Sequence, residues 1–151
     1  MKHTVREATF DDLAGVLALY RQLSPEDPDL SIEQAKPAWS ALLTSPMSTV
    51  VVADADGFAA ASCVLVIVPN LTRGARPFAL IENVVTDPGY RKRGLGTAVL
   101  HFAMQAAWQQ RCYKVMLSSG RTDEATLRFY ENAGLRRGGK TFFEARRTED
   151  S

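Results

Sequence analysis

The apolar pattern of this chain changes period at Asp87-Pro88-Gly89, and that change limits what it can fold into. Before it, residues 48–53, 58–68 and 78–86 are β-branched and apolar over strand lengths. Asp54-Ala55-Asp56-Gly57 is a turn signal, so the first two segments read as an antiparallel hairpin. After the change, Leu95, Val99, Phe102, Ala103 and Ala106 line one face of a helix running from Gly94 to about Gln110. A strand over 113–118, a helix over 123–132 stopped by Gly134, and a last strand over 140–145 should follow. Upstream, residues 3–8 read as a short strand, and Leu13, Val16, Leu17 and Tyr20 as one helix face. Ser31 with Gln34 resembles a capping box that opens a second helix through Trp39, Leu42 and Leu43. Hairpins first and a β-α-β-α-β section after describe one α/β (α+β) domain over residues 1–147, with a short polar tail at 148–151.

Composition removes several classes of function. At 151 residues, 46% of them apolar, the chain can bury a core. Apolar runs such as 64–68 fall far short of the roughly 20 residues a membrane span needs, and the N-terminus has no apolar signal stretch. A cytoplasmic protein with no membrane partner is expected. Cys63 and Cys112 cannot make a disulfide framework, and neither has a second Cys or His at ligand spacing, so no metal site is expected. A net charge of +1 offers nothing to a nucleic acid. The basic residues are nevertheless uneven. Residues 1–70 carry only Lys2, Arg6, Arg21 and Lys36, and the others all lie between Arg73 and Arg147, which points to an anionic ligand held by the C-terminal half.

The segment Asn83-Val84-Val85-Thr86-Asp87-Pro88-Gly89-Tyr90-Arg91-Lys92-Arg93-Gly94-Leu95-Gly96-Thr97 carries most of the chemistry. It leaves a strand, turns, and enters a helix whose first N–H groups lack partners and sit at the positive end of the helix dipole. Gly94 and Gly96 let a phosphate approach the backbone, while Arg91, Lys92 and Arg93 add positive charge. A phosphate or pyrophosphate ligand follows. The P-loop pattern is absent. A dinucleotide fingerprint fails because Val99 stands where a small residue is needed and no acid lies near 116–118. Arg91-x-x-Gly94-x-Gly96 fits a third pattern, Arg/Gln-x-x-Gly-x-Gly/Ala after a strand.

With strand, Asp-Pro turn and helix in that order, the segment resembles the acetyl-CoA motif of the GNAT (Gcn5-related) N-acetyltransferases, as small single-domain members carry it. The resemblance spans nearly the whole chain. It implies a mixed central sheet of six to seven strands flanked by about four helices, with a V-shaped splay between the strands near 79–86 and 113–119. Val84, Val85 and Thr86 would then hold the pantetheine arm of acetyl-CoA through their backbone. Arg91, Lys92, Arg93, Gly94, Leu95, Gly96 and Thr97 would hold its pyrophosphate.

Residues 123–135 resemble the family's Asn-x-x-Ala-x-x-x-Tyr-x-x-x-Gly-Phe segment, with Asp123 for Asn and Leu135 for Phe. The match implies that Tyr130 protonates the departing CoA thiolate. Glu82 is the candidate base that takes the amine's proton. Strand alternation puts it among Leu80, Val84 and Thr86, where an unpaired carboxylate is costly unless it has a task or a partner such as Arg73 or Arg76. Ile81-Glu82-Asn83-Val84-Val85 and Cys112-Tyr113-Lys114-Val115 resemble the glucosamine-phosphate N-acetyltransferases within that family. The implied reaction is direct transfer of acetyl from acetyl-CoA to the primary amine of a small molecule, an amino sugar phosphate or another anionic amine, by a homodimer. The alternatives are a protein or peptide N-acetyltransferase, and a non-catalytic acyl-CoA sensor; retention of Glu82 and Tyr130 counts against the sensor.

Overall fold

The computed structural model describes residues 2–148; residues 149–151 of the expected polar tail lie outside the described residues. The chain forms two compact units, one up to Leu117 and one from Ser118 onward.

In the first unit a five-stranded sheet runs in the order β1 (His3–Glu7), β2 (Ser48–Ala55), β3 (Phe58–Val68), β4 (Phe78–Thr86), β5 (Val115–Met116). Every pairing is antiparallel except β4 with β5. The β2–β3 turn has positive φ at both Asp56 (54°) and Gly57 (84°), the combination whose twist matches a hairpin. The Asp54 carboxylate accepts from the Gly57 amide at 2.8 Å and fixes it.

One face of the sheet is covered by α1 (Leu13–Leu23) and α2 (Ile32–Thr44), the other by α4 (Leu95–Gln109); a single kinked turn, α3 (Thr72–Ala75), sits between β3 and β4. Under α1 and α2, Leu13, Val16, Ala35 and Trp39 pack on Val50, Val52 and Val64. Each buried Leu or Val among them contributes about 1.5–3 kcal/mol by leaving water. Gly15 lets α1 lie close to the sheet, since a Cβ there would come within 2.9 Å of the Ala59 Cβ. Under α4, Cys63, Leu65, Val99, Leu100 and Ala103 are buried, and the Cys63 thiol donates to the Val99 carbonyl at 3.6 Å.

The second unit holds α5 (Glu124–Asn132). Its N-cap is Asp123, whose carboxylate accepts from the Thr126 amide at 3.1 Å. Gly134 (φ 105°) ends the helix, and Arg137 pairs with Glu124 and Glu131.

Two expectations are corrected here. The sheet has five strands, not six to seven, because residues 140–145 form no strand. Successive Phe142 and Phe143 would send one ring to each face of a strand, and both are exposed, by 63% and 87%. The strand expected over 113–118 shrinks to two residues, β5.

Candidate active site

β4 is the spine of the site, and its two halves differ. Near its start it pairs with β5 through Ala79↔Val115 and Leu80↔Met116, and there the parallel pairing stops. β4 runs on to Thr86 with β3 alone beside it, so the strands part as the splay expected near 79–86 requires. Past Leu80, alternate N–H and C=O groups of β4 have no strand partner on that edge among the described residues. This edge is what Val84, Val85 and Thr86 would offer to an extended ligand.

The strand is also bulged where it opens. Glu82 pairs with Val64 and Val85 with Ser62, so two residues of β4, Asn83 and Val84, stand against Cys63 alone. Asn83 takes a left-handed φ of 54°, which Asn tolerates better than most residues. The bulge breaks the expected alternation. Glu82 shares a face with Leu80 and Val85, whereas Thr86, opposite Ala61, falls on the other face. Glu82 keeps apolar neighbours on that face, Leu80, Val85 and the paired Val64, but it is exposed, and neither Arg73 nor Arg76 pairs with it. The structural-partner explanation for Glu82 loses its support.

At the far end of β4, Asp87 accepts from the Gly89 amide at 2.8 Å and from the Gln22 side chain at 3.0 Å, holding a single 3-10 turn, Pro88–Tyr90. The chain then exposes Arg91, Lys92, Arg93 and Gly94, with left-handed φ at Lys92 (62°) and Gly94 (79°). Gly94 is the N-cap of α4 and brings no capping side chain. A Cβ would meet nothing within 4 Å there, so glycine is required by its φ and not by crowding. Leu95 and Gly96 are buried and Thr97 is half-buried, which anchors the first turn of α4. Uncapped amides, a helix dipole and three cations together make an anion cradle.

A second basic group lies at the opposite end of the strand, and its assembly was not visible in the sequence. The guanidinium carbons of Arg73 and Arg76 stand 5.5 and 5.9 Å from the centre of the Tyr113 ring, and the Lys114 ammonium 5.3 Å from it. Lys114 also lies 5.4 Å from the Phe78 ring, which packs edge-on against Tyr113. The loop is tied down by Asn70, whose amide donates to the Thr72 carbonyl, the Thr72 hydroxyl and the Arg76 carbonyl at 3.2, 2.8 and 3.1 Å. Arg73, Gly74 and Ala75 are all left-handed (φ 55°, 70° and 61°), which costs nothing at the glycine but strains the backbone at Arg73 and Ala75. No carboxylate among the described residues pairs with Arg73, Arg76 or Lys114. Partial desolvation of the Tyr113 phenol acts against ionisation, but Lys114 and then Arg73 outweigh it and hold its pKa below the ordinary value. Tyr113 and Lys114 arrive just before β5; the resemblance singled out their segment, but nothing local in the sequence brings it to Arg73 and Arg76.

In the second unit, Tyr130 packs edge-on against Phe129 with ring centres 4.9 Å apart, and is half-buried. Asp123 is occupied as the N-cap, bonded to both the amide and the hydroxyl of Thr126. Its pKa is lowered, chiefly by the Thr126 side chain and then by the Thr126 amide. His3 and His101 are exposed, and no cluster of metal-ligating side chains occurs among the described residues. A recess of about 320 Å³ between the end of α2, the start of β2 and the end of α4 contains no residue of β4.

A strand that parts from its parallel neighbour and turns through a glycine into an uncapped helix gives this α+β fold an open edge and free amides that suit an extended, phosphate-bearing ligand. The acetyltransferase (GNAT) family model matches residues 14–135. A glucosamine 6-phosphate N-acetyltransferase of Trypanosoma brucei brucei is 35% identical over 125 residues, 83% of each chain. A solved structure from Agrobacterium tumefaciens str. C58, described as an acetyltransferase, is 45% identical and superposes with a TM-score of 0.91 over 95% of this chain and 99% of that one. The glucosamine-6-phosphate N-acetyltransferase of Arabidopsis thaliana, at 22% identity, has the same fold, with a TM-score of 0.85 over 96% and 99% of the two chains. The chain belongs to the GNAT family and is an acyl-CoA-dependent acetyltransferase. None of its helices is long and apolar enough to cross a membrane among the described residues.

Proposed function

We propose that this protein moves an acetyl group from acetyl-CoA to the primary amine of a small anionic molecule, with an amino sugar phosphate as the acceptor class that fits best. The observation that carries this reading is the group of three cations around Tyr113, preorganised by Asn70 and without a carboxylate partner, at the end of β4 opposite the phosphate cradle. Cations left uncompensated in a fixed loop favour an anionic group, and guanidinium pairs suit phosphate geometry. The sequence similarity to the trypanosomal enzyme, whose acceptor is a sugar phosphate by name, supports the same class.

The cofactor's groups have fitting partners. Uncapped amides from Lys92 to Thr97, with Arg91, Lys92 and Arg93, suit a pyrophosphate, and the open edge at Val84, Val85 and Thr86 suits the pantetheine arm. Bound there, acetyl-CoA supplies an activated thioester. Glu82, exposed and without an ion-pair partner beside the bulge, takes the proton that the attacking amine must lose. Tyr130 returns a proton to the departing thiolate, a role carried by its place in the Asp123–Leu135 motif.

The test is release of free CoA thiol from acetyl-CoA across a panel of amines: glucosamine 6-phosphate, aminoalkylphosphonates, amino acids, polyamines and short peptides. Turnover concentrated on the phosphate- and phosphonate-bearing amines is expected. Turnover on polyamines or peptides alone would reject the anionic-acceptor reading.

A further inference from the structure

An aromatic stack adjoins the anion cradle that follows β4. Tyr90 is the last residue of the 3-10 turn and directly precedes Arg91, Lys92 and Arg93. Its ring lies nearly parallel to that of Phe58, with centres 5.4 Å apart and planes inclined by 18°. The guanidinium carbon of Arg93 stands over the same ring, 5.3 Å from its centre. Both distances fall where ring stacking and cation–π attraction act.

The backbone on either side of the stack is fixed. Phe58 opens β3 directly after the turn in which the Asp54 carboxylate holds the Gly57 amide. Two residues on, the Ala60 carbonyl accepts from the Asp87 amide at 2.8 Å, and the Asp87 carbonyl accepts from the Tyr90 amide at 2.9 Å. The end of the β2–β3 hairpin and the 87–90 turn are therefore joined twice, by backbone at Ala60 and by rings at Phe58. Arg93 is exposed, and ordering a long side chain on a ligand costs rotamer entropy. A fixed ring beneath its guanidinium reduces that cost before the ligand arrives.

Resting on the acetyl-CoA reading of the cradle given above, we infer that Tyr90 is a positioning residue: its ring, held by Phe58, sets the Arg93 guanidinium in place for the pyrophosphate of acetyl-CoA. A cation–π contact orients a guanidinium without using an N–H donor, whereas an ion pair with a carboxylate would occupy the donors that a phosphate needs. The contact is made by the ring and not by the phenol hydroxyl, so phenylalanine at position 90 should serve equally well.

The experiment titrates acetyl-CoA into the protein at equilibrium, with no acceptor present, and compares Tyr90→Leu in two backgrounds. In the otherwise wild-type protein, Tyr90→Leu should weaken binding about three- to fivefold, and Tyr90→Phe by less than about twofold. Arg93→Gln alone should weaken it about tenfold, through loss of one charge-assisted hydrogen bond. Added to Arg93→Gln, Tyr90→Leu should change affinity by less than about 1.5-fold, because it acts only through Arg93. Phe58→Leu should follow the same pattern with a loss of about two- to threefold, and it carries the test if Tyr90→Leu does not fold. The same loss with and without Arg93 is what a merely structural ring would give. That result, or no loss in the wild-type background, would overturn this inference and leave the cofactor reading standing. A wild-type protein that binds no acetyl-CoA would overturn that reading, and this inference with it.

Discussion

Both ends of β4 gather positive charge, but they build it from different parts. After the strand, the 87–97 turn works mainly through backbone: an uncapped helix start, left-handed Lys92 and Gly94, and arginines as close neighbours in sequence. Before it, the 70–77 loop works through side chains, with Arg73, Arg76 and Lys114 around one tyrosine ring and Asn70 as the tie. In the function proposed above, the backbone cradle takes the pyrophosphate of CoA and the side-chain cluster takes the anionic group of the acceptor.

Glu82 lies between the two ends, so losing it should stop chemistry and leave both ends intact. Glu82→Gln is expected to lower kcat by about 10²–10⁴-fold, with both KM values within about threefold of wild type. Steady-state kinetics at saturating concentrations of each substrate check this; a large rise in either KM would make Glu82 part of one end.

The next largest effect separates the ends directly. Arg73→Ala combined with Arg76→Ala should raise the KM of a phosphate-bearing amine about 10- to 100-fold, in line with charge-assisted hydrogen bonds of about 1.5–3 kcal/mol. It should leave acetyl-CoA affinity unchanged by equilibrium titration. The converse is Gly94→Val. A left-handed backbone costs a residue with a Cβ about 1–2 kcal/mol, and more when β-branched. Acetyl-CoA binding should weaken about 5- to 30-fold in the same titration, with the acceptor's KM little changed. Equal losses of both ligands in both variants would erase the distinction between the ends.

Under assay conditions the smallest effect is on stability, and it concerns the packed middle between the ends. Burial pushes the Cys63 thiol up from 9.0 to about 12 and the Tyr20 hydroxyl up from 10.0 to about 12. Both folded values are raised, so the stability they add is fully present below the unfolded values and is lost as pH rises toward 12. Thermal unfolding midpoints should hold up to about pH 9 and then decline through pH 12, and Tyr20→Phe should soften the upper part of that decline. A midpoint independent of pH across that window would contradict the buried, neutral state of both groups.

The same difference explains what could be read from the residues alone. The 87–97 turn was legible because strand, turn, glycines and helix start follow one another, and their geometry is set locally. The helices and the hairpin were legible through their apolar periods. The two halves of the cluster at Tyr113 were each singled out, Arg73 and Arg76 as loop cations and Tyr113-Lys114 by resemblance, but only the parallel pairing at Ala79↔Val115 and Leu80↔Met116 joins them. The bulge at Asn83 left no trace in the alternation of residues 78–86, so Glu82 was grouped with Thr86, which falls on the other face, in place of Val85. Residues 140–145 had strand composition and no partner.

The central claim, acetyl transfer to an anionic amine whose charge is read by the 70–77 loop, is tested most directly by one pair of rates. Free CoA thiol release is followed with glucosamine 6-phosphate and with glucosamine as acceptors, under the same acetyl-CoA concentration. The account predicts a kcat/KM at least about tenfold higher for the phosphorylated sugar, corresponding to about 1.4 kcal/mol or more of transition-state stabilisation. Equal rates for the two sugars, or preference for the unphosphorylated one, would contradict it.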